Sequence, residues 1–188
     1  PFAMNDARQA TLVAALKDPC RYPHPVDHVE VVETHISHVL LAGEFAYKIK
    51  KPVKLGFLDF SSIDKRLHFC REEIRLNRRL APGLYLEVVT IGGTPAAPQL
   101  GSEGKAIEYA VKMRRFPQES LLDDRLAAGL VDPDLVDTLA ETVAVFYEGA
   151  VRADPKGEFG TAPAVWNPVA DCLAQLGENL KSGLFASQ

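Results

Sequence analysis

The spacing of apolar and polar residues changes along the chain, and each change marks an element. Residues 5–17 (NDARQATLVAALK) place Leu12, Val13 and Leu16 on one helical face, with Asn5 or Asp6 as cap and Asp18-Pro19 as stop. Residues 29–33 (VEVVE) read as a strand. Beyond a polar connection at 34–37, His38-Val39-Leu40-Leu41 and Phe45-Ala46-Tyr47-Lys48-Ile49-Lys50 flank Ala42-Gly43-Glu44, which predicts a hairpin. Phe45, Tyr47 and Ile49 share the face of its second strand that should meet a core. Ala46, Lys48 and Lys50 share the face toward a cleft or water. Pro52 ends the strand because it has no N–H for the ladder.

Residues 54–62 (KLGFLDFSS) are expected to form a loop anchored by Phe57 and Phe60. Ser61 or Ser62 then caps a helix over 63–80, with Ile63, Leu67, Cys70, Ile74 and Leu80 on its apolar face and Glu72 and Glu73 in its middle. Ala81-Pro82-Gly83 stops it. Residues 84–91 read as a strand and 92–104 as a Gly/Pro-rich turn region. Residues 106–116 read as a strand with Ile107, Tyr109, Val111 and Met113 on one face, broken by Pro117. Helices follow: a short one near 119–128, a longer one from Asp132-Pro133 to about 151 marked by Leu135, Leu139, Val143 and Phe146, and a last one from Asn167 or Pro168 to 180. This order predicts an α+β chain with a sheet of about five antiparallel strands and one inserted helix. It is not the βαβ alternation of a parallel sheet.

At 188 residues, 47% hydrophobic and 24% charged, the chain suits one globular unit or a little more. A net charge of −4 implies no general nucleic-acid surface. No apolar run approaches the roughly 20 residues of a membrane span, and no signal-peptide pattern opens the chain. Cys20, Cys70 and Cys172 are odd in number and far apart, so neither a disulfide framework nor a zinc pattern is expected. A reducing, cytoplasmic setting is the default expectation. Pro1-Phe2-Ala3 precede Met4, which is expected to be the native start.

The candidate chemistry centres on Lys48. A small residue two positions earlier on the same strand face, Ala46, lets a flat ring approach while the ammonium reaches phosphates. The same pattern also fits an edge strand carrying solvated lysines. Other clusters are weaker. His24 and His28 lie in a Pro-rich loop, and His35 and His38, three apart on a strand, face opposite ways, a poor metal pair. Asp123-Asp124 and Asp132/Asp134 suit helix starts. Lys50, Lys51 and Lys54 with Arg114 and Arg115 fit either a basic cleft or a solvated face.

The strings ETHISHVLL (33–41), AYKIKKPVKLGFLDFSS (46–62), EEIRLNRRLAPGLYL (72–86) and EYAVKMRRFP (108–117) together resemble the N-terminal lobe of protein-kinase-like phosphotransferases. The likeness is to bacterial aminoglycoside-phosphotransferase-like proteins, of the kind often fused to a P-loop kinase domain, and it covers about residues 25–150. It implies an N-terminal helix and leader over 1–24, a kinase-like N-lobe over 25–116 and the helical beginning of a C-lobe over 117–188. It implies that Lys48 holds the α/β-phosphates of ATP or GTP, with Glu73 or Glu72 as its helix partner. Neighbouring helix positions point about 100° apart, so only one glutamate can face Lys48. Glu73 is favoured because it shares a face with Leu76 and Leu80. Residues 113–116 would be the hinge that bonds adenine, with Arg114 and Phe116 beyond Met113. Val39, Ala46 and Met113 would line the ring.

The chain departs from that pattern in two places. The connection at 33–37 has no glycine, so Thr34, His35 and Ser37 would have to supply the phosphate donors. No HGDxxxxN or HRDxxxxN catalytic loop, no DFG-like aspartate after it and no GxxxxGK[ST] occur. Any Mg²⁺ would need ligands from a C-lobe that the sequence does not contain. The expectation is therefore the nucleotide-binding part of an ATP-dependent small-molecule phosphotransferase, a fragment of a longer protein with an unknown acceptor. The alternative is a non-catalytic kinase-like regulatory or interaction module.

Overall fold

The computed structural model describes residues 5–56, 58–154 and 156–181. Phe57, expected as an anchor, and Met4, expected as the native start, lie outside them. The chain divides into two units, residues 1–128 and 129–188.

The first unit opens with α1 (Asp6–Ala15), whose first turn is closed by the Asn5 side chain accepting from Arg8 N at 3.0 Å. Strands β1 (Val29–Glu33), β2 (Ser37–Ala42) and β3 (Phe45–Lys50) form an antiparallel meander. Gly43 makes the β2–β3 turn at φ +57°, where a Cβ would stand 2.7 Å from the Pro25 carbonyl. The loop expected at 54–62 contains a small hairpin, β4 (Lys54–Leu55) with β5 (Leu58–Asp59). The Ser62 side chain accepts from Lys65 N at 3.2 Å to start α2 (Ile63–Asn77). Then come β6 (Tyr85–Thr94), β7 (Ala97–Leu100) and β8 (Glu108–Arg114). A 3₁₀ turn and α3 (Leu122–Ala127) follow in the same unit.

The main sheet has six strands, not about five, in the order β1-β2-β3-β8-β6-β7. The additional strand, β7, lies inside the region read as turn. β6 runs on to Thr94, and two residues connect it to Ala97, with Thr94 paired to Ala97 and Gly93 to Pro98. Pro98 is tolerated because β7 is an edge strand.

The two faces of the sheet bury different material. Leu12 of α1 and Leu16 just after it, with Tyr22, pack on Leu40, Ala42, Tyr47, Ile49, Ile91 and Ala110, so the aromatic and aliphatic set of β3 does meet the core. On the other face Cys70 and Ile74 of α2 cover Val111, with Tyr85, Val88, Tyr109 and Met113 around them. Ile107, grouped above with that set, instead packs with the α1 core, because the strand begins only at Glu108. Burying large apolar side chains is worth about 1.5–3 kcal/mol each, so both helices are held by side chains rather than by their caps. The inner stripe of α2 is Arg66, Cys70 and Ile74. Leu80, expected on it, lies past the helix end and is exposed.

In the second unit α4 (Pro133–Glu148) starts as expected, with the Asp132 side chain accepting from Asp134 N at 2.7 Å. The last helix, α5 (Ala162–Lys181), starts earlier than expected, with Thr161 Oγ1 accepting from Ala164 N at 3.3 Å, and Pro168 falls inside it. Leu135, Leu139 and Val143 on α4 and Val165, Trp166, Val169 and Leu173 on α5 are exposed. No helix among the described residues is long and apolar enough to cross a membrane.

Candidate functional site

The register of the sheet gathers one set of side chains on the α2 face. Directly paired residues point the same way, so Ser37, Val39 and Leu41 of β2 stand beside Lys50, Lys48 and Ala46 of β3. Val111 and Met113 of β8 continue the row next to Lys48 and Ala46. α2 crosses this face and directs Glu73 at the lysines. Lys48 Nζ donates to Glu73 Oε1 at 2.8 Å, and Lys50 Nζ donates to Glu73 Oε2 at 2.5 Å. The Lys48 side chain is 29% exposed and that of Lys50 only 6%.

Burial alone would raise the Glu73 carboxyl. The hydrogen bonds and charges of the two ammonium groups outweigh it and hold the group below its ordinary value. Glu72, the other candidate, turns away and pairs with Arg75 at 2.6 Å. The choice of Glu73 coincides with this geometry, but the reason given for it does not. Leu76 and Leu80 are exposed. Glu73 faces inward because it adjoins Cys70 and Ile74 on the stripe that α2 buries.

Half-buried Val39 stands directly opposite Lys48, and one pair along buried Ala46 lies beside half-buried Met113, so the three give a small apolar strip next to the Lys48 side chain. The hinge candidates leave the sheet where β3 and β8 separate. Arg114 N donates to Leu84 O and Arg115 N to Glu44 O, each at 2.8 Å. Beyond them Arg114, Arg115, Phe116 and Pro117 line a groove of about 340 Å³ with Gly43 and Glu44.

The three loop candidates are not equivalent. His35 is exposed. The Thr34 hydroxyl is engaged locally, donating to Ser37 O at 3.1 Å and accepting from Ser37 N at 3.0 Å. Ser37 is fully buried and its Oγ has no hydrogen-bond partner, so it offers nothing outward. Lys50 is not part of an open basic cleft but lies under α2, while Lys51 pairs with Glu33 at 2.6 Å. His24 Nε2 lies 2.9 Å from the Tyr47 hydroxyl on the opposite sheet face. Among the described residues no group of three or more His, Cys, Asp or Glu could hold a metal ion.

Behind the lysines lies a buried polar cluster absent from the sequence-based expectations. Arg66 Nε donates to both carboxylate oxygens of Glu108, at 2.9 and 3.1 Å, and Arg66 Nη1 donates to Phe60 O at 2.8 Å. Gln9 Nε2 from α1 donates to Lys50 O at 2.8 Å and reaches Glu108 at 3.4 Å. The cluster ties α1, α2, β3 and β8 together under the site. Its signal was present: Arg66 lies four residues before Cys70 and eight before Ile74, on their stripe, and Glu108 alternates with Tyr109 onto a buried face.

Uncharacterized proteins of Mycobacterium bovis and Mycobacterium tuberculosis are 35% identical to the chain over 150 residues, 77% of this chain and 28% of theirs. The chain thus spans little more than a quarter of the length of these relatives. No family model matches the chain, and no solved structure matches it.

Proposed function

We propose that the first unit binds the donor nucleotide, ATP or GTP, of a small-molecule phosphotransferase of the aminoglycoside-phosphotransferase-like kind, as its kinase-like N-lobe. The observation that carries this reading is Lys48, partly exposed on the sheet face and held by Glu73 at 2.8 Å, beside the strip of Val39, Ala46 and Met113. The residues fit the group. The apolar strip suits a base, and one of the three N–H donors of Lys48 is used by Glu73, leaving two for phosphate oxygens. A bound nucleotide would supply the phosphoryl group, and this chain's part is to seat it. The base and Mg²⁺ ligands that transfer requires are not recognisable in these residues. In the whole protein they would come from a C-lobe, with the acceptor, and a P-loop kinase domain is a further partner there.

The test is calorimetric titration with ADP and ATP. A charge-assisted phosphate contact is worth roughly 1.5–3 kcal/mol, so Lys48→Met should weaken binding about 10–100-fold, at 1.4 kcal/mol per decade. An unchanged affinity overturns the role of Lys48. No nucleotide binding by the unaltered protein would favour the non-catalytic interaction module.

A further inference from the structure

One carboxylate between two lysines is more than a single ion pair needs. The strand repeat puts Lys48 and Lys50 on the same face of β3, and Glu73 spans the gap with one oxygen for each. Their surroundings differ. Lys50 is almost wholly covered, and its ammonium stands 4.9 Å from the centroid of the Phe60 ring, a cation–π contact in a desolvated place. Lys48 lies further out and is partly exposed. The inner lysine therefore fixes the Glu73 carboxylate, and the outer one is presented at the surface. A lone Lys–Glu pair is neutral, whereas two lysines and one glutamate carry a net charge of +1, counted from side chains that meet at 2.8 and 2.5 Å. At partly buried positions that surplus acts over several ångströms on an incoming anion.

We propose that Lys50 is a positioning residue for polyphosphate recognition: it anchors Glu73, which aims Lys48, and its charge leaves the cluster positive, so that the site takes a nucleoside di- or triphosphate in preference to the uncharged nucleoside. This inference rests on the phosphate-binding reading of Lys48. Nothing in it requires Lys50 to touch the ligand. The neighbouring Cys70 thiol, pushed up to about 12 chiefly by burial, remains a neutral filler beside the cluster.

The experiment compares ADP with adenosine as probes, by titration on the full chain and its Lys48→Met and Lys50→Met variants. Lys50→Met should weaken ADP binding about tenfold, the scale of losing one unit charge that acts from several ångströms away, while adenosine affinity stays within about twofold. A general distortion of the unit would weaken both probes together, and that parallel loss overturns the proposal. So does unchanged ADP affinity in Lys50→Met when Lys48→Met is impaired, an outcome that leaves the reading of Lys48 standing. If Lys48→Met itself binds ADP normally, both fall. Should Lys50→Met fail to fold, Lys50→Gln, which keeps a donor toward Glu73 without the charge, is read by the same two outcomes.

Discussion

Replacing Arg66 with methionine would isolate the energetics of the cluster beneath the site. Arg66 is 1% exposed and Glu108 0%, so the variant leaves a carboxylate with no counter-ion in the interior. It keeps only the Tyr109 N–H at 3.1 Å and the long contact from Gln9. Removing one member of a buried pair costs about 3–5 kcal/mol, a large share of the 5–15 kcal/mol that holds a domain. For a unit of this size the loss is about 10–20 °C in Tm. It should also depend on pH. Burial already raises the Glu108 carboxyl above its ordinary value, and Arg66, the Tyr109 N–H and Gln9 offset only part of that. Without Arg66 it rises further. A carboxyl raised in the folded state favours folding below its unfolded value, near 4.3, and that stability is lost as the pH climbs through the folded value. The destabilisation of Arg66→Met should therefore be small near pH 5 and largest near pH 8. Adding Glu108→Gln should flatten this dependence and recover the charge penalty. Thermal unfolding followed in the tyrosine near-UV band reports the right unit, since four of the five tyrosines, Tyr22, Tyr47, Tyr85 and Tyr109, lie in it. A loss below about 1 kcal/mol at pH 7.5, an equal loss at pH 5 and pH 8, or a pH dependence that survives Glu108→Gln would refute the reasoning.

Two other outcomes are expected. Leu12→Ala, at a fully buried position between α1 and the sheet, should cost about 2–5 kcal/mol in urea unfolding; a loss under about 1 kcal/mol would mean that α1 is not part of the core. Glu73→Gln should weaken ADP binding several-fold while Glu72→Gln leaves it within about twofold, since only Glu73 meets the lysines; equal effects would dissolve the distinction between the two positions.

Most elements were legible because their periods were unambiguous. The Asn5 and Ser62 caps, the faces of β3 and the Asp132-Pro133 helix start all follow from local rules. β7 was missed because Gly92, Gly93, Pro95 and Pro98 read locally as turn, and only the free edge of a sheet makes Pro98 acceptable in a strand. The early start of α5 was missed because Pro168 reads as a first-turn residue. At the site, Glu73 was reachable by helical spacing, but the double engagement of its carboxylate was not. Lys50 and Lys48 are equivalent in a strand pattern, and only the placement of α2 sends one under the helix and leaves the other at the surface. Arg66 and Glu108 are not legible by the rule that places charged residues in water, although Arg66 shares its stripe with buried Cys70 and Ile74 and Glu108 alternates with buried Ala110.

The edges of the six-stranded sheet bear on how copies of the molecule can associate. β7 is an edge strand, and Pro98 stands opposite Gly93 next to the closing Thr94–Ala97 pair, a position whose backbone nitrogen points away from β6. That nitrogen carries no hydrogen, and α1 lies against the same strand, so a foreign strand finds an interrupted ladder there. The other edge, β1 (Val29–Glu33), contains no proline. Strand addition to this sheet is thus one-sided. Two copies meeting through β1 would be related by a two-fold axis and would use up that edge in each, so further addition to this sheet would have to occur at β7, where Pro98 interrupts the ladder.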